Sequence, residues 1–281
     1  MKHFCVIGDP VEHSLSPRLH RRMIELTGLD ATYDLCPVRA QELERFVEQA
    51  RGGAWDGFNV TMPHKEAVVP YLDGLSGTAA RCRAVNTVCM EDGRAIGHNT
   101  DGFGFIESLR AHGFDPADKT ALIIGTGGAG EAVTDALVQA GVTPTLTLVR
   151  VGERSVYRAQ ALAARYPEHT RWVYFGTYPV RRGSAQADLV VNATSLGMAG
   201  CKEFSDLRFL GGVNPEAIVY DLVYNPRRTL FLSEADRHGL QTIGGIELLV
   251  HQAMLAFQRW TGAEFAPADM KHELLKTLQN N

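Results

Sequence analysis

Four short clusters within the first third of the chain carry the carboxamides Asn59 and Asn86, the hydroxyl pair Ser14 and Ser16, Lys65 and Asp101. The first is Gly8-Asp-Pro-Val-Glu-His-Ser14-Leu-Ser16-Pro17. The second is Gly57-Phe-Asn59-Val-Thr61-Met-Pro63-His-Lys65. Ala84-Val-Asn86-Thr87 and Gly97-His-Asn99-Thr-Asp101-Gly102 follow. The candidates named are polar side chains with one cation, Lys65, and one anion, Asp101. Such a set suits a small polyhydroxylated molecule: hydroxyls and amides exchange hydrogen bonds with it, and the charged pair can move a proton. Each residue also has a plainer role. Ser14 and Ser16 can cap a helix, Asn59 and Asn86 can satisfy turn backbones, Asp101 can cap a loop, and Lys65 can sit on the surface.

A second kind of chemistry begins at Gly125-Thr126-Gly127-Gly128-Ala129-Gly130. This G-x-G-x-x-G follows the apolar run Thr120 to Ile124 and precedes a helical pattern, the context a dinucleotide fingerprint requires. Gly125 would make the tight turn. Gly127 would admit a pyrophosphate over the helix N-terminus, and Gly130 would let helix and strand pack closely. After the next strand the chain reads Arg150-Val-Gly-Glu153-Arg154-Ser155-Val-Tyr-Arg158. An acidic residue there accepts from a free ribose hydroxyl, whereas arginines take a 2′-phosphate. Arg150, Arg154, Ser155 and Arg158 outnumber Glu153, which favours NADP and leaves NAD open.

The elements that must position these groups follow from periodicity. Short strands at 4–8, 32–38 and 58–61 alternate with helices that start at Ser16-Pro17, near Gln41 and at Pro63. Residues 85–96 read as a hairpin turning at Glu91-Asp92-Gly93. Leu19, Met23 and Leu26 give the first helix an apolar face that Gly28 ends. Beyond residue 120, strands at 145–151, 187–191 and 217–222 and helices at 131–140 and 156–166 make a βαβ-rich segment. From Ile246 a helical period returns: Ile246, Leu249, Ala253, Phe257 and Trp260 share one face, with Gln252 on its flank.

The chain has 281 residues, 45% hydrophobic and 21% charged, with a net charge of −4. That length accommodates two domains, and no basic run points to nucleic acid. No apolar run nears the roughly 20 residues of a membrane span, and the first residues lack a signal-peptide core. The five cysteines form no C-x-x-C pair, so a reducing cytoplasm is the expected setting and neither a disulfide framework nor a zinc site is expected. His13 and His20 have no carboxylate or cysteine partner at ligand spacing, so no metal is expected. A homodimer is left open.

These clusters resemble, in order and along essentially the whole chain, the shikimate dehydrogenase family. The carriers are His13-Ser14-Leu-Ser16-Pro17, Asn59 to Lys65, Ala84 to Thr87, Asn99 to Asp101, Asn192-Ala-Thr194-Ser-Leu-Gly-Met198, Tyr220-Asp-Leu-Val-Tyr224-Asn-Pro226 and Leu249-Val-His-Gln252. The resemblance implies an α/β protein of two domains. A substrate-binding and catalytic domain would comprise 1–101 plus 245–281, the C-terminal helices returning to it, and a Rossmann-type NADP-binding domain would comprise 102–244. It implies reversible NADP-linked reduction of 3-dehydroshikimate to shikimate. Lys65 and Asp101 would be the catalytic pair. Ser14, Ser16, Asn59, Thr61, Asn86, Tyr224 and Gln252 would hold the substrate. Gly125, Thr126, Gly127, Gly128, Ala129, Gly130, Arg150, Arg154, Ser155, Thr194, Met198 and Gly245 would hold the cofactor. Hydride transfer to a ketone builds negative charge on its oxygen, which an ammonium stabilises and protonates.

The chain departs from the family pattern at Arg21, at Glu247-Leu248 and at Glu153-Arg154-Ser155; the last bears on cofactor choice. A quinate/shikimate dehydrogenase using NAD is the nearest alternative, and a non-catalytic nucleotide sensor on the same scaffold is a second. Gly102, Gly104 and Gly244-Gly245 sit at the two crossings between domains and are read as hinges.

Overall fold

The computed structural model describes residues 1–142, 145–149, 153–174 and 186–279, with the side chains of 145–149 and 153–155 outside that description. The chain divides into two compact units, Met1–Gly104 with Val250–Asn281, and Phe105–Leu249.

The first unit begins with β1 (Lys2–Gly8), α1 (Ser16–Thr27), β2 (Ala31–Pro37), α2 (Leu43–Gln49), β3 (Gly57–Val60) and α3 (His64–Ala67). It continues with β4 (Gly74–Leu75), α4 (Gly77–Cys82), β5 (Thr87–Glu91) and β6 (Arg94–His98). The strands form one sheet in the order β2-β1-β3-β5-β6-β4. β1 lies parallel to β2 and β3, and β5 turns the sheet antiparallel. Alternate residues of β1 feed opposite faces. Cys5 and Ile7 pack with Leu43, Phe46 and Val47 of α2, while Phe4 and Val6 pack with Tyr33, Ala256 and Trp260. Trp260 donates to Val88 O at 2.9 Å, and a Cβ on Gly57 would strike its Nε1, so β3 needs glycine there.

Pro17 stands in the first turn of α1, and Gly28 at φ 64° ends it. The buried stripe of α1 is Ser16, Leu19, His20 and Met23. It is rotated from the expected one, since Leu26 is 41% exposed and His20 is fully buried. Nor does Ser16 cap the helix: the N-cap is Leu15 with no side-chain bond, and Ser14 Oγ accepts from the Ser16 N–H at 3.3 Å.

α5 (Asp101–Ala111) opens with Asp101 and carries the chain into the second unit. There β7 (Ala121–Ile124), α6 (Gly128–Gln139), β8 (Thr145–Val149), α7 (Glu153–Arg165), β9 (Thr170–Tyr174), β10 (Leu189–Asn192) and β11 (Ile218–Asp221) follow. α8 (Leu230–Arg237) and β12 (Gln241–Gly244) complete it, and α9 (Gly245–Thr261) and α10 (Pro267–Gln279) lead back through the first unit. All strand pairs here are parallel, in the order β12-β11-β10-β7-β8-β9. That is the doubly wound arrangement, in which strand order reverses beside the first strand. β7, β10 and β11 are buried at every position, as strands covered on both faces must be. Leu122, Val190 and Val219 face one core with Phe231 and Leu232. Ile123, Val191 and Tyr220 face the other with Phe105, Leu109, Val133 and Leu137.

Two of the glycines read as hinges are also required by packing. A Cβ on Gly104 would meet Gln252 N at 2.8 Å, and one on Gly245 would collide with the Leu222 carbonyl. Close approach of main-chain atoms requires glycine at both.

Candidate active site

The polar clusters of the first unit converge because their strands are neighbours. β3 and β5 pair so that Asn59 faces Thr87, which brings Asn86 beside both. The Lys65 carbonyl accepts from the Val85 N–H at 2.8 Å, tying α3 to the start of β5. His64, 1% exposed, bonds Val38 O at 2.5 Å through Nε2 and anchors the other side of that short helix. Lys65 Nζ then reaches Asp101 Oδ2 at 2.6 Å, with side-chain exposures of 22% and 8%. An ion pair that shielded is held far more firmly than a surface pair, and the ammonium keeps one open side.

Asn86 is the hub. Its Nδ2 donates to Asp101 Oδ1 at 2.8 Å and Thr100 Oγ1 at 2.9 Å, with Gln252 Oε1 at 3.4 Å. Its Oδ1 accepts the Thr100 N–H at 2.8 Å. Asn59 Nδ2 donates to Asn86 O at 3.0 Å and Thr87 Oγ1 at 3.2 Å, and its Oδ1 accepts from the Tyr33 hydroxyl at 2.6 Å. Thr61 lays its methyl over Gly8, where a Cβ would come within 2.6 Å of it. Ser14, Ser16, Asn59, Thr61, Lys65, Asn86, Asp101 and Gln252 all lie in this unit. Direct side-chain bonds join Lys65, Asp101, Asn86 and Gln252.

Sequence reasoning gave Tyr33 no role and weighed His20 only as a metal ligand. Tyr33 is 1% exposed, and its ring lies 4.3 Å from that of His20 at an interplanar angle of 1°. Burial pushes the His20 imidazole down to about 3, against the opposing effect of Asn59, so it is neutral and packs as a flat apolar plate. Burial likewise pushes the Tyr33 phenol well up, keeping its proton in place for donation.

The second unit holds the glycine turn. Gly125 has φ 112°, and a Cβ there would meet Ala193 O at 2.8 Å. A Cβ on Gly130 would collide with the Gly125 carbonyl, whereas one on Gly127 would meet nothing within 4 Å. Gly127 is the N-cap of α6 and offers no side-chain cap, so the first amides of that helix are available to an anion. This open position between two crowded glycines fits a dinucleotide pyrophosphate. Thr126 is buried, and Gly128 and Ala129 are half-buried in the first turn of α6.

Nearby, Asn192 organises the 192–198 loop. It accepts from Thr194 Oγ1 at 2.7 Å and donates to Leu196 O at 3.1 Å and to Asp221 Oδ1 at 2.9 Å. Asp221 is fully buried and also accepts from Thr229 Oγ1 at 2.6 Å and Val223 N at 3.0 Å. Burial lifts its carboxyl to about 6 despite these donors. Sequence reasoning quoted the segment containing Asp221 but gave that residue no role. Met198, at the end of the same loop, is half-buried, and burial also raises the Tyr224 phenol. Gly245 opens α9 against Leu222. Arg150 lies outside the described residues, as do the side chains of Glu153, Arg154 and Ser155 at the start of α7.

Elsewhere Cys89, Glu91 and His98 bring ligand-type atoms within 4.8 Å of one another. The positive charge of Arg259 acts on both Cys89 and His98, where it opposes a cation.

A doubly wound dinucleotide-type unit joined to a unit with a shielded lysine–aspartate pair defines a two-domain dehydrogenase scaffold. Residues 6–88 match the shikimate dehydrogenase substrate binding domain, and 245–275 match the shikimate 5'-dehydrogenase C-terminal domain. The NADP(+) shikimate dehydrogenase of Moorella thermoacetica is 41% identical over 272 residues, 97% of this chain and 92% of that one. The shikimate 5-dehydrogenase of Thermus thermophilus, solved with NADP(H) and shikimate, superposes with a TM-score of 0.84 at 35% identity, covering 99% of this chain and all of that one. Ligand-free 5-ketofructose reductase of Gluconobacter sp. superposes with a TM-score of 0.85 at 30% identity, covering 98% of each chain. The chain belongs to the shikimate dehydrogenase family.

Proposed function

We propose that this chain catalyses the reversible NADP-linked reduction of 3-dehydroshikimate to shikimate, a step of aromatic biosynthesis. The observation that carries the reading is the shielded Lys65–Asp101 pair, bonded at 2.6 Å and held by Asn86. NADPH, when bound, supplies the hydride. On this reading the Lys65 ammonium bonds the ketone oxygen, stabilises the charge that grows on it and delivers the proton that completes the alcohol. Asp101 keeps Nζ aimed. In the oxidative direction Lys65 takes the hydroxyl proton back.

The first unit is the substrate and catalytic part. Ser14, Ser16, Asn59, Thr61, Asn86 and Gln252 bind hydroxyls and carboxylate, and Tyr224 is a further substrate-binding residue. The second unit is the NADP-binding part. Gly125, Gly127 and Gly130 with the first turn of α6 would hold the pyrophosphate, Thr194, Met198 and Gly245 would border the ring, and Arg150, Arg154 and Ser155 would take the 2′-phosphate. Five cysteines outside any disulfide support a cytoplasmic setting, and among the described residues no helix is long and apolar enough to cross a membrane.

The decisive assay follows reduced-nicotinamide absorbance with shikimate, quinate and 5-ketofructose, each with NADP(H) and NAD(H). Turnover of shikimate with NADP is expected. Preferred turnover of quinate with NAD moves the assignment to the broader relative, turnover of 5-ketofructose alone moves it to a sugar reductase, and no turnover in any combination removes the activity.

A further inference from the structure

We infer that Thr87 and Tyr33 are positioning residues of the Lys65–Asp101 pair, acting through a one-way hydrogen-bond chain buried in the first unit. The inference rests on the reading of that pair as catalytic.

The chain runs Tyr33 hydroxyl to Asn59 Oδ1 at 2.6 Å, Asn59 Nδ2 to Thr87 Oγ1 at 3.2 Å and Thr87 hydroxyl to Asn86 Oδ1 at 3.1 Å. It continues from Asn86 Nδ2 to Asp101 Oδ1 at 2.8 Å and ends where Lys65 donates to Asp101 Oδ2. Its direction is forced by two backbone groups. The Asn86 carbonyl can only accept, and it faces Asn59 at 3.0 Å, so that atom of Asn59 is the amide nitrogen and Oδ1 points to Tyr33. The Thr100 N–H can only donate, and it faces Asn86 at 2.8 Å, so that atom is Oδ1 and the amide nitrogen points to Asp101. Tyr33 must therefore donate. Thr87, with one proton, must accept from one asparagine and donate to the other.

Every intermediate group is enclosed: Tyr33 is 1% exposed, Asn59 5%, Asn86 3% and Thr87 0%. No water can replace a lost link at such burial, and links in one chain polarise each other. The chain also presents Asp101 with a donor on each oxygen, one from Asn86 and one from Lys65, which leaves that carboxylate an acceptor and fixes the direction of Nζ. Stacking of His20 on the Tyr33 ring holds the far end in place.

The test compares Thr87→Val, Thr87→Ser, Tyr33→Phe and the Tyr33→Phe/Thr87→Val double variant. The readouts are kcat, KM for substrate and cofactor, thermal midpoint and exchange of the Asn86 side-chain amide protons by NMR. Loss of the Thr87 hydroxyl, which severs both of its links, predicts a fall in kcat on the order of tenfold for Thr87→Val, with KM for NADP unchanged. Thr87→Ser should recover kcat to within about twofold, since its hydroxyl restores both links. Tyr33→Phe should lower kcat by about threefold alone and by nothing further in the Thr87→Val background, because both cut one chain. Asn86 amide exchange should quicken in each variant that lowers kcat. An unchanged kcat with only a lower melting point, losses that multiply in the double variant, or failure of Thr87→Ser to rescue overturns the inference. Should Thr87→Val not fold, Tyr33→Phe decides alone: unchanged kcat and unchanged Asn86 exchange overturn it. Wild-type protein that turns over none of the substrates defeats the catalytic reading instead, and Asn86 exchange then still decides whether the chain exists.

Discussion

The two units build their sites from opposite materials. In the first, chemistry resides in side chains: a lysine, an aspartate, two asparagines and a glutamine, almost all buried and each satisfied by the next. In the second, it resides in backbone and in the absence of side chains, with Gly125 and Gly130 packed against main-chain atoms and Gly127 left open. A side-chain site fails by losing a functional group, with the fold standing. A backbone site fails by losing its shape. Substitutions can set one against the other.

The largest effect is expected at Lys65. Lys65→Ala removes the proposed proton donor and its charge. It should lower kcat by about 10³ with substrate saturating, while the affinity for NADP stays within about twofold. Steady-state kinetics with a fluorescence titration of NADPH would check this. Near wild-type kcat would remove Lys65 from the chemistry and make the pair structural. Because the lysine is only 22% exposed and its loss leaves Asp101 unpaired, the thermal midpoint should fall as well.

Gly125→Ala puts the opposite proposition to the second unit. At φ 112° the new Cβ would meet Ala193 O and Thr194 Cγ2, each at 2.8 Å. The strain and the clash should cost about 2–3 kcal/mol of stability and raise the KM for NADP by tenfold or more, with binding of shikimate alone unaffected. Urea unfolding and separate ligand titrations would read both. A variant that loses shikimate binding as strongly as NADP binding would break the division of labour between the units.

What could be read before the structure follows the same division. Fingerprint glycines and clustered polar residues are local signals, so β1, β3, β7, the glycine turn and the convergence of Lys65 with Asp101 were legible. Longer-range features were not. The run Asp101-Gly-Phe-Gly-Phe105 looks like a loop, yet it opens α5, because Phe105 and Leu109 find a core and Ser108 bonds Tyr220 at 2.7 Å. α6 starts at Gly128 rather than Glu131, since two glycines in its first turn hide the helical pattern. Neither α8, α10, β9 nor β12 was read. Tyr33 looked like any strand aromatic; only the pairing of β2 with β1 and of β1 with β3 brings it to Asn59.

Asp221 sharpens the comparison through pH, because it is a buried side chain in the unit otherwise built from backbone. Burial raises its carboxyl from an ordinary 3.8 to about 6. Below about pH 4 the group is protonated in both folded and unfolded chains. Between about pH 4 and 6 only the unfolded chain ionises, so this group's stabilising contribution is lost as pH rises through that window and is constant above it. The rise of about two pH units corresponds to about 3 kcal/mol. Asp221→Asn can keep the contacts to Asn192, Val223 and Thr229 while removing the titration. The difference in unfolding free energy between wild type and variant should therefore change across pH 4–6 and level off above it. A difference that is flat across that window would mean that Asp221 is ionised in the fold.

The smallest expected effect is at Arg154, and it concerns the one part of the cofactor unit where side chains decide. Residues 153–155 open α7, which follows β8, and the proposed function assigns the 2′-phosphate to this turn. On that assignment Glu153 would repel the phosphate and Arg154 would attract it, so adjacent residues would pull in opposite directions. Arg154→Ala should raise the KM for NADP by about tenfold, equivalent to about 1.4 kcal/mol, with kcat and the KM for NAD nearly unchanged. Glu153→Ala should do the reverse to the ratio, improving NADP modestly and weakening NAD. The readout is the ratio of kcat/KM for the two cofactors, which cancels any shared loss of folding. Because the proposed interaction is electrostatic, the effect of Arg154→Ala should shrink as ionic strength rises. A salt-independent ratio would place the 2′-phosphate away from this turn. Discrimination would then come, as in the first unit, from buried and geometrically fixed groups.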